Sequence, residues 1–159
     1  MSVRNLEQEI KRRITRAVKG IQLINDKGEF VLPLVETGAL PKSAVRGEPY
    51  ILIQTTHIKD EELSGVADIN ILYGTIGASR EDMKNDIFKN QSHATGHWDV
   101  LSVVDKIRED FFKDTNFQFG ILKRSMKHEI YGEIEFPHYL GETKCTFEIS
   151  VTQPQDDYL

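Results

Sequence analysis

The chain has 159 residues, 39% hydrophobic and 28% charged, which fits one ordinary globular domain with a real core and excludes a disordered or fibrous protein. A net charge of −5 argues against generic nucleic-acid binding as its main task, and a single cysteine excludes an intramolecular disulfide framework and fits a reducing compartment. The N-terminus has no signal-type apolar segment and no stretch is long and apolar enough for a membrane helix, so the reading is one domain over residues 1–159, used in a cytoplasm, with no membrane contact.

The first element reads as a helix over Asn5 to Ile24. Leu6, Ile10, Ile14, Ala17, Val18 and Ile21 recur on one face, and Asn5 followed by Gln8 has the form of a capping box. The other face carries Lys11, Arg12, Arg13, Arg16 and Lys19, which is either a solvated helix face or an electrostatic contact for an acidic partner or passing nucleic acid. Asn25 to Gly28 is a turn signal. Glu29 to Val35 then reads as a short strand that Pro33 ends or confines to an edge. Gly38, Pro41, Gly47 and Pro49 mark Glu36 to Pro49 as a long loop.

Tyr50 to Thr55 is β-branched and aromatic, and Val66 to Tyr73 alternates, with Ala67, Ile69, Ile71 and Tyr73 on one face. Asp60, Glu61 and Glu62 fall in the polar connection between them, so the two are expected to form an antiparallel pair. Gly74 to Thr95 turns polar without a period and reads as a long insertion. The main helix follows over Gly96 to Phe112. Val100, Val104, Ile107 and Phe111 line its apolar face, Trp98, Leu101, Val103 and Phe112 are expected to widen it, and Thr95 or Asp99 offers a cap.

Three strands are expected after that helix: Phe117 to Lys123, Lys127 to Glu133 and Thr143 to Thr152. In the last, Cys145, Phe147, Ile149 and Val151 should point inward. Phe136 to Gly141 reads as a turn, and Gln153 to Leu159 as a loose tail. The order gives an α+β fold: a mostly antiparallel or mixed sheet covered on one face by two helices, with long loops.

Enzyme chemistry finds little support. His93 and His97 have zinc-like spacing, but no third ligand is placed by spacing. Cys145 with His128 or His138 would be a nucleophile and base, yet its strand position makes it a small buried hydrophobe. The glycines form neither a dinucleotide nor a phosphate-loop pattern, and no cofactor is implied.

Gly96-His97-Trp98-Asp99-Val100-Leu101, running into Val104-Asp105-Lys106-Ile107-Arg108, resembles the helix of tail-terminator proteins of long-tailed bacteriophages and prophages. Phe136-Pro137-His138-Tyr139-Leu140-Gly141 with Thr146-Phe147-Glu148 is similar to the proline-aromatic-glycine turn and last strand of that family, and Gly47 to Ile53 resembles its first strand. The resemblance covers about half the chain, in order. Its motifs are packing patterns without a chemical group; Leu140 stands where an aromatic is expected. It implies a non-enzymatic minor tail protein of the virion, assembled in the host bacterial cytoplasm. Such a protein caps the tail tube as a homo-oligomeric ring, commonly a hexamer, ends polymerisation and offers a surface to the head–tail connector. Its implied partners are its own copies, the major tail tube protein, the connector protein and, non-specifically, DNA in the lumen. On that reading Lys11, Arg12, Arg13, Arg16 and Lys19 are the candidate lumen or partner contacts. The alternatives are another neck, head–tail joining or minor tail protein, or a small enzyme with a His–carboxylate pair.

Overall fold

The computed structural model describes residues 3–39, 47–77, 95–135 and 138–150. Leu6, Ile10 and Ile14, spaced by four, are drawn wholly into the interior and make Val3–Ala17 the first helix, α1. It tightens into one 3-10 turn at Val18–Gly20, and Ile21 is already extended (φ −97°, ψ 147°). The chain then forms a small hairpin of β1 (Leu23–Ile24) and β2 (Phe30–Val31). The expected helix to Ile24 is therefore too long, because Leu23 and Ile24 reach the core as strand residues instead. Asn5 lies inside α1 and is not its first residue, so no capping box starts there.

Pro33 divides the expected Glu29 to Val35 strand. Beyond it, β3 (Leu34–Thr37) runs parallel to β4 (Tyr50–Asp60) at the edge of a seven-stranded sheet. A proline lacks an N–H to donate, so an interruption beside an edge strand is its ordinary place. β4 pairs antiparallel with β5 (Gly65–Ile76), and β5 with β9 (His138–Ile149). The far side of β9 is shared: β7 (Gly120–Leu122), with β6 (Asn116–Phe117) beyond it, pairs with its C-terminal part, and β8 (Lys127–Glu135) with its N-terminal part. One parallel pair in an otherwise antiparallel ladder makes the sheet mixed, and with two helices the fold is α+β.

The second helix, α2 (Thr95–Lys113), buries Val100, Val103, Val104, Ile107 and Phe111 against the sheet. Facing them are Ala67, Ile69, Ile71 and Tyr73 of β5 and Cys145 and Phe147 of β9, while Ile51 and Ile53 of β4 belong to the same core on the side that α1 covers. Each buried aliphatic or aromatic side chain contributes roughly 1.5–3 kcal/mol by leaving water, so this layer dominates the fold's stability. Phe111, Phe117 and Phe147 close one end of it as an edge-to-face trio, with centroids 4.8–6.5 Å apart. Trp98, Leu101 and Phe112 do not widen the stripe as expected. They are 49%, 38% and 42% exposed, on the side of α2 away from the sheet.

Three tyrosines lie over glycines. Tyr50 of β4 covers Gly74 of β5, Tyr73 of β5 covers Gly141 of β9, and Tyr139 of β9 covers Gly96 at the start of α2. A Cβ at any of the three glycines would fall inside the covering ring. Gly141 also touches Val100, so α2 approaches the sheet over a backbone with no side chain in the way.

Other expectations shift in register. The Phe117 to Lys123 segment is the β6–β7 hairpin, not one strand, and β9 begins at His138, so the expected Phe136–Gly141 turn is mostly strand. Gly74–Ile76 continue β5 and do not open the expected Gly74 to Thr95 insertion, and Thr95 already belongs to α2. Residues 78–94, His93 among them, residues 136–137, Val151, Thr152 and the tail from Gln153 lie outside the described residues, as does part of the Glu36 to Pro49 loop.

Candidate contact surfaces

The cationic face of α1 is divided by its neighbours. Lys11 Nζ is 3.2 Å from the Glu36 carboxylate of β3. Arg13 is used more completely. Its Nε donates to Asp110 Oδ2 at 2.9 Å, and one terminal nitrogen donates to the backbone carbonyls of Asp110 and Asp114 at 2.7 and 2.8 Å. Its guanidinium carbon sits 3.8 Å from the centroid of the Phe117 ring. That arrangement caps carbonyls at the C-terminal end of α2 with a positive charge, where the helix dipole favours one. Arg13 is thus a structural tie between α1 and α2.

Arg12, Arg16 and Lys19 stay exposed, with Arg16 3.6 Å from Asp110 while its side chain is 72% exposed. Arg12 and Arg16 border a groove of about 760 Å³ between α1 and the end of α2, where Lys113 adds a cation and Glu9, Asp110 and Asp114 add anions. The Glu9 carboxylate accepts the backbone N–H groups of Gln118 and Phe119 at 2.6 and 3.0 Å. The field here is mixed in sign, so the five cations do not act as one basic stripe.

Cys145 sits on the inward face of β9, as its alternation implies, with Sγ directed at the Ile69 carbonyl. Burial, aided by Asp68, pushes its thiol up to about 12, far from a working thiolate. His128 Nδ1 is 2.8 Å from Thr143 Oγ1, and burial with the nearby Arg108 lowers its pKa. His97 and His138 are exposed on different elements. Among the described residues no group of three His, Cys, Asp or Glu side chains is placed to hold a metal ion. Asp99 does not cap its own helix as expected; Oδ2 accepts the N–H of Ile24, 3.3 Å away, tying α2 to β1. Burial raises its pKa to about 6, partly offset by that hydrogen bond.

Two apolar surfaces escaped the sequence reading. Leu63, 87% exposed at the tip of the β4–β5 hairpin, and Ile121, 50% exposed, border a hollow of about 400 Å³ beside the C-terminal end of β9. Ile134, 62% exposed on β8, borders a separate hollow of about 300 Å³ with Tyr50, Leu140 and His138, at the N-terminal end of β9. Between them, the outer sheet face carries a ladder in which Lys127 opposes Lys144 and Glu129 opposes Glu142. Like charges face each other across the strands, and Lys127–Glu129 (2.8 Å) and Lys144–Glu142 (3.7 Å) compensate along them. Tyr131 Oη lies 2.7 Å from Glu129 and 3.0 Å from Glu142. The bonds from Lys127 and Tyr131 hold the Glu129 carboxyl down at about 2. This ladder depends on the register of β8 on β9, which includes two bulges, so no local sequence signal marks it.

No known family profile matches the chain, and no curated protein matches it. Among solved structures, it is similar to the sheath/tube terminator of an extracellular contractile injection system, PVC, in its extended state, at 11% identity and a TM-score of 0.39. That similarity covers 98% of this chain and 59% of the other, so the chain spans less than two thirds of that protein's length, and at this score the likeness is one of loose layout.

Proposed function

We propose that the chain is a non-enzymatic tail-terminator subunit of a phage or prophage, capping the tail tube as a ring and presenting a surface to the head side. The observation that carries this reading is the meeting of the two stretches that resemble the family. Gly96, which opens the α2 motif, lies under Tyr139 of the second motif, and Gly141 of that motif lies against Val100 of the first. Two soft patterns far apart in sequence thus meet in one packing unit, which supports the reading.

The surface is compatible with a ring. Head-to-tail closure needs two different patches on one subunit. The Leu63–Ile121 and Ile134 surfaces lie at the two ends of the twelve-residue β9, roughly 37 Å apart at about 3.4 Å per residue. Arg12 and Lys19, with Arg16 held only by its exposed contact to Asp110, are the cations left for DNA in the lumen or for an acidic subunit, whereas Lys11 and Arg13 are already engaged.

The test is reconstitution. Light scattering and electron microscopy of the protein with tail-tube polymers should show rings at tube ends and arrested growth, and Leu63→Asp should reduce capping while leaving the far-UV circular dichroism spectrum intact. Binding to a portal and not to tube ends would identify a joining protein instead.

A further inference from the structure

Trp98, Leu101, Asp105, Arg108 and Phe112 follow one another along α2 at spacings of three, four, three and four. That is the seam spacing of a helix packed on another helix, and it holds the five residues within an arc of roughly 80°. The arc is distinct from the buried stripe of Val100, Val103, Val104, Ile107 and Phe111. Trp98 is 49% exposed and Phe112 42%, a large apolar investment for a surface left in water. The helix therefore has two seams, and only one is covered by the described residues.

The charges in the outer seam decide what fits it. Asp105 and Arg108 pair with each other at 3.6 Å, with side chains 72% and 55% exposed, a contact worth little by itself. Read forward, the last four positions of the seam, Leu101, Asp105, Arg108 and Phe112, are apolar, acidic, basic, apolar; read backward, they are apolar, basic, acidic, apolar. This part of the seam is complementary to itself when reversed. We propose that it binds a second copy of this chain, with the two α2 helices antiparallel about a two-fold axis passing between Lys106 and Ile107. That axis sets Asp105 against the partner's Arg108 and Leu101 against the partner's Phe112, and repeats both contacts by symmetry. A parallel pair in register would set Asp105 on the partner's Asp105 and Arg108 on the partner's Arg108, so the charge order selects the antiparallel arrangement.

This two-fold contact uses neither end of β9, and it stands whether or not the chain caps a tube. The experiment is sedimentation equilibrium of the full chain over a wide concentration series, with two charge reversals. Asp105→Arg alone and Arg108→Asp alone put like charges across the axis and should weaken self-association by about tenfold or more. An equimolar mixture of the two variants restores both opposite-charge pairs and should associate as a heterodimer with near wild-type affinity. Both substitutions lie on the exposed face, and circular dichroism is the check that each variant folds. Single variants that self-associate as tightly as wild type, or a mixture no more associated than its components, would overturn the proposal. Tube capping by either variant reads out the ring reading separately.

Discussion

Replacing Arg13 by alanine should cost far more than replacing Arg12, one position away and equally charged. Arg13 is held by a carboxylate whose side chain is only 15% exposed, by two backbone carbonyls and by the Phe117 ring, and is itself 11% exposed. Charge-assisted hydrogen bonds contribute about 1.5–3 kcal/mol each, and breaking a buried ion pair from one side costs about 3–5 kcal/mol. The site is not fully dry, so a loss of about 3 kcal/mol is expected for Arg13→Ala. Arg12→Ala, on the exposed face, should stay within about 0.5 kcal/mol. For a chain of this length that difference lowers Tm by about 6–12 °C. Arg13→Lys keeps the charge but loses the planar fork and the stacking, and should recover no more than about half of the loss. Urea unfolding followed by circular dichroism measures all three, and a cycle with Asp110→Asn isolates the pair, with an expected coupling of about 1–3 kcal/mol. If Arg13→Ala were as mild as Arg12→Ala, the tie between α1 and α2 would be an ordinary solvated contact and the division of the basic face would fail.

Two further outcomes follow from burial and close packing. The folded-state pKa of Asp99 is raised to about 6 from 3.8, so the folded protein holds that proton more tightly than the unfolded chain, and stability falls as pH rises through that interval and stays lower above it. A shift of about two pH units corresponds to about 3 kcal/mol, reduced to roughly 1–2 kcal/mol because the group is partly solvated and sits near a helix N-terminus. Asp99→Asn should therefore stabilise the protein by that amount at pH 7, with the gain vanishing near pH 4; denaturant melts showing no gain at neutral pH would reject this assignment. Gly141→Ala places a methyl group in the Tyr73 ring and against Val100 and should cost about 1–3 kcal/mol or more, whereas Gly20→Ala, with open space around the new Cβ, should be near neutral in the same denaturant melts.

The parts of the fold that were legible are those governed by local period. Ala67, Ile69, Ile71 and Tyr73 alternate and are fully buried; Val100, Val104, Ile107 and Phe111 recur at helical spacing and face the sheet. What was misread depended on partners distant in sequence. Apolar residues at 98, 101 and 112 look like core by composition, and nothing local says that the sheet lies on the other side of the helix. Arg13 looked like one of five equivalent cations because its partners lie about a hundred residues further on. Leu63 and Ile121 become neighbours only when β5 and β7 take their places along β9. The candidate contact surfaces were therefore the least legible feature of all, since they are made by register and not by any stretch.

The tyrosine–glycine pairs bear on how that register is found. β4 and β5 are rich in Ile and Thr, residues that tolerate many alignments, and β9 must locate a partner strand some seventy residues earlier in the chain. A slip of one position along β5 would bring Leu140 or Glu142 opposite Tyr73 in place of Gly141 and turn alternate side chains to the wrong face. The ring would then have no notch to enter, and α2 no bare backbone to settle on. The three pairs act as teeth of a key, cut at different heights on three strands and a helix, and only one alignment lets all of them seat together.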